Sequence, residues 1–291
     1  IFLNNEILLK EREKTYKKIF SNNFDKKNNE SLKNIKLSEL NSFNYYYYPS
    51  KEKPSVNILS KDFYEINVVN GKCCNFEDEN IFCRDINSDD YFRFTDNVRN
   101  LDDIIVDLNK VFLNSGLYLN VKSQSKINIK IIYKSDKNYS IFQHNFFNFE
   151  KNCEVNFEEN FDLSENTIKN IQNSFGVSQE ANIKHNIFLN FSSSSKLFLT
   201  SNTICNKKAA YTQNSFNFAQ GFVRNFHSVN LVGEFSKTNL KGCFFLKDSN
   251  ACSNKTFISH NAENCESNQT YKGILNDNSR SNYYSNTYVS E

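Results

Sequence analysis

The stretch from Val229 to Gly273 contains the side chains best suited to metal or thiol chemistry. His260 lies five residues before Cys265, and Cys252 and Glu263 fall in the same stretch. Imidazole, thiolate and carboxylate groups are common ligands of zinc and iron, so His260 and Cys265 are the candidate metal ligands. The alternation of polar and apolar residues around them favours a second interpretation, in which both side chains belong to a scaffold wall. We therefore predict no catalytic residue here and no resident metal.

A second group of side chains that could do chemistry consists of the carboxyl groups of Glu158, Glu159, Asp162 and Glu165. Pairs of carboxyl groups catalyse glycoside hydrolysis. The polar, turn-like sequence around these four residues instead favours solvated turns. The four consecutive serines at 192–195 lack the G-x-S-x-G pattern of a nucleophile elbow, so we predict a polar corner there.

Composition excludes several other classes of function. The chain has 291 residues and a net charge of +2, and its Lys207-Lys208 pair is too short to form a nucleic-acid patch. No apolar run is long enough to span a membrane, and no phosphate-binding loop is present for ATP hydrolysis. The eight cysteines include no C-x-x-C pair, so we expect reduced thiols in a cytoplasmic compartment. The abundance of asparagine is attributed to nucleotide composition rather than to function.

The elements that must position these side chains differ along the chain. Residues 1 to about 60 are predicted to be largely helical, and residues 41–54, with four consecutive tyrosines at 45–48, are predicted to connect and to pack against a neighbouring surface. The helical prediction depends on the loosely helical spacing of Ile7, Leu8, Tyr16, Ile19 and Phe20.

A clearer helix is predicted over residues 100–115. Asn100 is expected to cap its start, and Gly116 is expected to stop it. Its apolar stripe consists of Ile104, Ile105, Leu108, Val111 and Phe112.

After Gly116 the apolar period changes to two, which indicates a series of short strands. The strands are bounded by polar residues, and tight Asn-Gly or Asp-Gly hairpins are missing from this part of the chain, so a parallel β-helix with polar corners fits better than a barrel or sandwich. We predict a mainly β protein, with a partly helical region at 1–115 and a right-handed parallel β-helix at 116–291. The spacing of the strands in the sequence looks irregular.

The segment from Arg224 to Val289 resembles the SufD-like proteins of the SUF iron–sulfur cluster assembly system, in the SufB/SufD family. The family pattern runs from an Arg before a strand and a Gly closing it, through T-x-I-x-H and E-S-x-Q-x-Y-K-G-x-L, to a D-x-x-R turn. The segment LNKVFLNSGLYLNV, which begins at Leu108, and the segment NNESLKNIKLSEL, which begins at Asn28, resemble earlier parts of the family. The matching positions after Arg224 are Thr256, His260, Glu266, Ser267, Gln269, Tyr271, Lys272, Gly273, Leu275, Asp277 and Arg280.

The resemblance implies a non-catalytic scaffold subunit that pairs with a SufB-like subunit and holds a SufC-like ABC-type ATPase. It implies no stably bound cofactor, a transient iron–sulfur cluster in the full complex, no nucleic-acid or membrane partner, and a cytoplasmic or organellar stromal location. The segment beginning at Asn28 favours SufD over its paralogue SufB. The remaining alternative is a secreted β-helix that binds or cleaves polysaccharide. That alternative needs an export signal and acidic residues stacked on one face of successive coils.

The two ends of the sequence suggest a piece of a longer protein. The chain contains no Met, starts at Ile1 and stops at Glu291 inside a predicted strand. The family resemblance implies that the missing C-terminal part carries the ATPase-docking surface and most of the contact with the SufB-like subunit. We therefore expect this chain to be poorly soluble alone and to form no stable complex with the ATPase, because an uncovered final coil is an aggregation template.

Overall fold

The computed structural model describes residues 6–21, 51–87, 103–136, 138–191 and 195–290. These residues contain two α-helices, α1 (Glu6–Ser21) and α2 (Ile104–Phe112). The strands are β1 (Ser55–Ser60), β2 (Phe63–Val69), β3 (Phe76–Glu77), β4 (Ile81–Asp85), β5 (Leu117–Val121), β6 (Lys126–Ser135), β7 (Ser140–Phe149), β8 (Glu154–Leu163), β9 (Ile168–Val177), β10 (Asn182–Leu189), β11 (Lys196–Cys205), β12 (Ala210–Asn217), β13 (Phe222–Leu231), β14 (Lys237–Leu246), β15 (Ala251–His260), β16 (Glu266–Leu275) and β17 (Arg280–Val289).

The strands form two sheets that the chain visits in turn. Sheet A has the order β1-β2-β6-β8-β10-β12-β14-β16, and sheet B has the order β17-β15-β13-β11-β9-β7-β5-β4-β3. Every pairing among β6 to β17 is parallel. Each coil therefore contributes one strand to each sheet, which confirms the predicted parallel β-helix. The right-handed sense of its winding stays a prediction.

The coils repeat more regularly than the sequence suggested. Lys126 of β6 lies beside Glu154 of β8, which lies beside Asn182 of β10 and then Ala210 of β12, so these three steps are equal in length. The next step, from Ala210 to Lys237, is shorter by a single position. The description of the period as irregular was wrong for these early coils. The repeat was hidden because each coil consists of two unlike halves, one in each sheet, and later corners differ in length.

The corners explain how the chain turns so often with so few glycines. Most corners contain one non-glycine residue in the left-handed backbone region, where asparagine and aspartate are tolerated because their short polar side chains bond locally. Polar corners were expected, and Phe235 at φ 62° is the apolar exception. The residues with positive φ at the corners from β5 onward are Gln124, Asn138, Asn152, Asn166, Glu180, Lys208, Phe235, Asp248, Asn264 and Asp277.

Asparagine also stacks along the outer faces of the coils. The Asn156 side-chain amide donates to Asn128 at 2.8 Å, and Asn214 donates to Asn186 at 2.8 Å. A third pair on sheet B joins Asn230 to Asn202 at 3.1 Å. Because equivalent positions in neighbouring coils lie side by side, each amide finds a partner of its own kind. The asparagine content that we attributed to nucleotide composition therefore has a structural use.

The N-terminal part of the chain adds strands that were not predicted. Strand β2 pairs in parallel with β6, whereas β1 pairs with β2, β3 with β4, and β4 with β5 in the antiparallel sense. The prediction of a largely helical N-terminal segment is confirmed for α1 and is wrong for β1. The tyrosines at 45–48 and the segment beginning at Asn28 lie outside the described residues. The division between 115 and 116 stays a prediction.

Helix α2 is shorter than predicted and has different ends. Its N-cap is Asp103, whose side chain accepts a hydrogen bond from the Ile105 amide at 2.9 Å, so the prediction of Asn100 as the cap was wrong. Gly116 lies beyond the C-cap Leu113 and serves close packing, because a Cβ there would lie 2.2 Å from the His144 carbonyl oxygen. The buried Arg224 of β13 forms an ion pair with Asp103 and so ties the helix to sheet B.

Candidate functional site

The predicted metal ligands His260 and Cys265 have separate partners. His260 ends β15, and its Nε2 lies 2.9 Å from the Ser267 hydroxyl oxygen. Cys265 lies in the following corner, with its Sγ 3.4 Å from the Ser236 hydroxyl oxygen and 3.5 Å from the Gly233 carbonyl oxygen. A ligand role for His260 and Cys265 stays a prediction.

The two other residues of the candidate site also point elsewhere. Cys252 is buried, and its Sγ accepts a hydrogen bond from the Asn254 amide at 3.0 Å. Glu263 is exposed in the corner before β16. Across the residues that the structure describes, no group of three or more His, Cys, Asp or Glu side chains is placed to hold a metal ion.

The residues of the T-x-I-x-H and E-S-x-Q-x-Y-K-G patterns meet inside the last described coil. Thr256, Tyr283 and Ser285 all donate hydrogen bonds to the side-chain oxygen of Gln269, the last two at 3.0 and 3.1 Å. We call these four residues the Gln269 hub. The Tyr271 ring stacks on the Tyr283 ring with centroids 4.5 Å apart. The pattern residues therefore join neighbouring strands of the wall.

A second polar cluster, which the sequence analysis missed, lies deep inside the β-helix. The Tyr133 hydroxyl donates to Glu159 Oε1 at 2.6 Å, and the Asn173 amide donates to the same oxygen at 3.0 Å. His185 Nε2 lies 2.8 Å from the other carboxyl oxygen, Oε2. We call Glu159, Tyr133, Asn173 and His185 the Glu159 hub. All four are buried, and Glu159 and His185 are 0% exposed.

The Glu159 hub extends along the lumen through further hydrogen bonds. His185 Nδ1 lies 2.8 Å from the Tyr211 hydroxyl oxygen, and burial raises the pKa of Tyr211 well above its usual range. The Asn145 amide donates to the Asn173 side-chain oxygen at 2.9 Å. Burial together with the nearby His185 lowers the pKa of His227 to about 3, so that imidazole is neutral at physiological pH.

Lys169 is the buried cation of this region. Its side chain is 1% exposed, and its Nζ lies 5.9 Å from the centroid of the Tyr133 ring. Burial lowers the pKa of Lys169 to about 7, because moving an ammonium group out of water disfavours its charged form. The lumen can therefore hold a fixed carboxyl group and an amine that titrates near neutral pH.

The four candidate carboxyl groups are distributed over both faces of strand β8 and the turn that follows it. Glu158, Glu159 and Asp162 lie within strand β8, so the prediction of solvated turns was wrong for them. Successive residues of a strand face opposite sides, so Glu159 points into the lumen while Glu158 lies 3.7 Å from Lys130 on the outside. Glu165 is an exposed turn residue, as predicted. The alternation of Val155, Phe157, Glu159 and Phe161 is the signal that could have placed Glu159 inside.

The remaining sequence candidates are corner residues. Lys207 and Lys208 form ion pairs with Glu234 and Glu180 at 2.6 and 3.3 Å. Ser195 is buried, and its hydroxyl donates to the Ser164 carbonyl oxygen at 2.7 Å. Neither helix of the described ranges is long and apolar enough to cross a membrane.

Comparison with known families gives one match. Residues 131–291, more than half of the chain, match the family described as "SUF system FeS cluster assembly, SufBD core domain". The matched residues include β7 to β17 and most of the wall described above. No curated protein matches the chain.

Proposed function

The chain belongs to the SufBD core family of the SUF system, which takes part in iron–sulfur cluster assembly, and we propose that it acts there as a SufD-like scaffold subunit. In this proposal it pairs with a SufB-like subunit and, within the complete complex, holds a SufC-like ABC-type ATPase. The cluster is cargo that forms transiently in the complex, supplied with iron and sulfide by other proteins. The location is a reducing one, the cytoplasm or an organellar stroma, in keeping with the eight free cysteines.

The observation that supports the scaffold role is that residues of the family pattern pack neighbouring coils of the β-helix against each other. Gly233 is the glycine that closes a strand in the family pattern. A Cβ at this position would lie 1.9 Å from the backbone nitrogen of Lys207, in the corner of the preceding coil. The pattern therefore marks positions where neighbouring coils approach closely, as a rigid support for partner subunits requires.

A SufD-like identity is favoured over a SufB-like one by the segment beginning at Asn28 and by the helical start of the chain, α1. The polysaccharide alternative needs acidic residues stacked in register on successive coils. The residues beside Glu158 in the neighbouring coils are Lys130 and Asn186, so this register does not supply them. Stacked acidic side chains are the feature that would favour that alternative.

Co-expression of the complete reading frame that contains this chain with a SufB-like subunit and a SufC-like ATPase tests the proposal. We expect the chain to co-purify with the SufB-like subunit and to leave ATP turnover to the ATPase. The variant Gly233→Ala should lose this association because the wall must shift. The matched control Gly176→Ala should keep it, because a Cβ there would lie 3.2 Å from the side-chain oxygen of Asn148, which would have to shift by only a few tenths of an ångström.

Two results would contradict the proposed pairing. One is a wild-type protein, expressed from the complete reading frame, that elutes alone in size-exclusion chromatography although the SufB-like subunit is folded and present. The other is preferential pairing with a SufD-like subunit, which would assign the chain to the SufB side of the complex. ATP turnover by the purified chain alone, abolished by a substitution in the chain, would count against a scaffold without catalysis.

A further inference from the structure

Three of the eight cysteines lie together at the N-terminal end of the β-helix. Strands β3 and β4 form an antiparallel pair, and β4 pairs with β5, so they close this end of sheet B. Cys73 and Cys74 precede β3, and Cys83 lies in β4 opposite Leu119 of β5. We call the segment from Cys73 to Asp85 the N-terminal cap.

The thiols of Cys73 and Cys83 converge on each other. Both hydrogen-bond to the Cys74 carbonyl oxygen, with Sγ to oxygen distances of 3.3 Å for Cys73 and 3.8 Å for Cys83. The backbone at Cys73 is fixed because its N–H donates to Asp85 Oδ1 at 2.7 Å. Because the two sulfurs share one acceptor, they lie in the same neighbourhood, which is the first requirement for a disulfide between them.

The three thiols differ in their access to solvent. Cys83 is 0% exposed, Cys73 is 7% exposed, and Cys74 is half-buried. The neighbouring Cys83 thiol and burial raise the pKa of Cys73 well above its usual range, and burial raises the pKa of Cys74. Cys73 and Cys74 are therefore protonated thiols at neutral pH, and a protonated thiol reacts slowly with oxidants.

We propose that Cys73 and Cys83 are an oxidation site, at which a peroxide closes a disulfide that staples the N-terminal cap. Cys73, the more accessible of the pair, attacks one peroxide oxygen. An S–O bond forms, the O–O bond breaks, and the thiol proton leaves with the second oxygen as water. Cys83 then attacks the Cys73 sulfenic acid, and the S–O bond breaks as its oxygen leaves as a second water. The two sulfurs are oxidised and hydrogen peroxide is reduced to two waters.

The disulfide would join the residue before β3 to the middle of β4. The closed loop of about ten residues removes freedom from the unfolded chain more than from the folded cap, so oxidation should stabilise the protein. We expect the midpoint of thermal unfolding to rise by roughly 4 to 8 °C in the oxidised form. The thiolate is the reacting form, so the disulfide should form faster as the pH is raised from 7 to 9.

Peptide mapping of the purified chain after treatment with hydrogen peroxide tests the proposal. Trypsin releases residues 73–84 as one peptide that contains all three thiols, and a second protease that cleaves after Glu77 and Glu79 splits it. After this second cleavage, a disulfide alone holds the Cys73 and Cys83 fragments together. Free thiols are alkylated under denaturing conditions before digestion, and the linked fragments are identified by mass spectrometry.

Variants identify which sulfurs are joined. Cys74→Ser should keep the linked fragments, whereas Cys73→Ser and Cys83→Ser should lose both the link and the rise in the unfolding midpoint. Cys153 is buried in a different corner and should remain an alkylated thiol in the same samples, which gives an internal control. The exposed Cys243 reports that the oxidant acted.

The wild-type map shows whether a disulfide to Cys83 forms even if a variant fails to fold, and Cys74→Ser then identifies its partner. Linked fragments that persist in Cys74→Ser support the pair of Cys73 and Cys83. Recovery of both residues as alkylated thiols, after Cys243 has been oxidised in the same sample, would overturn the proposal. A link that disappears in Cys74→Ser would also overturn it, because the bond would then involve Cys74.

Discussion

The lumen of the β-helix holds a polar hub in a middle coil and another in its last described coil, and the two are built differently. The Glu159 hub is buried on all sides, with Tyr133 from the preceding coil and His185 from the following one. The Gln269 hub is half-buried and takes Thr256 from the preceding coil and Tyr283 from its own. Within the described residues, Glu159 bonds to the coils on both sides of its own, and Gln269 bonds to its own coil and the preceding one.

This difference has an energetic reason. An ionisable group removed from water is costly unless every polar atom around it is paired, whereas a neutral amide carries a smaller cost. The Glu159 hub should therefore contribute strongly to a unique register of the coils, and the Gln269 hub should contribute less. Variants in each hub should therefore differ in how much free energy of unfolding they lose.

The largest expected effect comes from emptying the Glu159 hub. Glu159→Ala leaves Tyr133, Asn173 and His185 without their shared acceptor and creates a cavity, so we expect a loss of about 4 kcal/mol in the free energy of unfolding. Urea denaturation followed by far-ultraviolet circular dichroism measures it. The neighbouring control Glu158→Ala removes a half-buried carboxyl group on the outer face, which accepts a hydrogen bond from Asn160, and should cost less than about 1 kcal/mol. Equal losses of unfolding free energy at Glu159 and Glu158 would show that the buried hub contributes no more than the outer face.

The next effect concerns the charge of Lys169 beside the same hub. Its pKa of about 7 in the folded protein lies below the ordinary value of 10.5, so between these values the unfolded chain binds more protons. Stability linked to Lys169 therefore rises as the pH increases from 7 to 9, by roughly 2 kcal/mol. The variant Lys169→Met should lack this part of the pH dependence. Parallel curves for wild type and variant would show that Lys169 titrates normally in the folded state.

A smaller effect is expected in the last described coil. Gln269→Ala removes the acceptor of Thr256, Tyr283 and Ser285, but water can reach this half-buried hub and replace part of the lost bonding. We expect a loss of about 1 to 2 kcal/mol by the same urea measurement. A loss as large as that of Glu159→Ala would show that the last coil is as closed as the middle one.

The smallest effect is expected on the outer wall of the same coils. Asn214→Ala breaks one amide pair, with Asn186, at a solvent-accessible face, and should cost about 0.5 to 1 kcal/mol. Thr212→Ala, two residues away on the same face of β12, is the control for a change that breaks no amide pair. Equal free energies of unfolding for the two variants would mean that the asparagine pairs add nothing to stability.

Much of the local structure follows from residues that are close together in the sequence. The alternation of Leu117, Leu119 and Val121 predicts β5, and the stripe that includes Ile105 and Leu108 predicts α2. Polar residues between the strands predict corners without hairpins, and with them a parallel β-helix. The short strands β3 and β4 and the cap at Asp103 were missed, because a few polar residues fit a turn as well as an edge strand or a helix start.

The sequence by itself determined which residues alternate inward and where the chain turns, because these depend on neighbours a few positions away. Only the tertiary structure decided which inward residues meet. Glu159 is distant in the sequence from both Tyr133 and His185, and its contacts exist because the coils stack with a regular step. The hub was hidden because its members are polar residues scattered over three coils. Their burial becomes favourable only when stacking supplies each with a hydrogen-bond partner and removes water from all of them together.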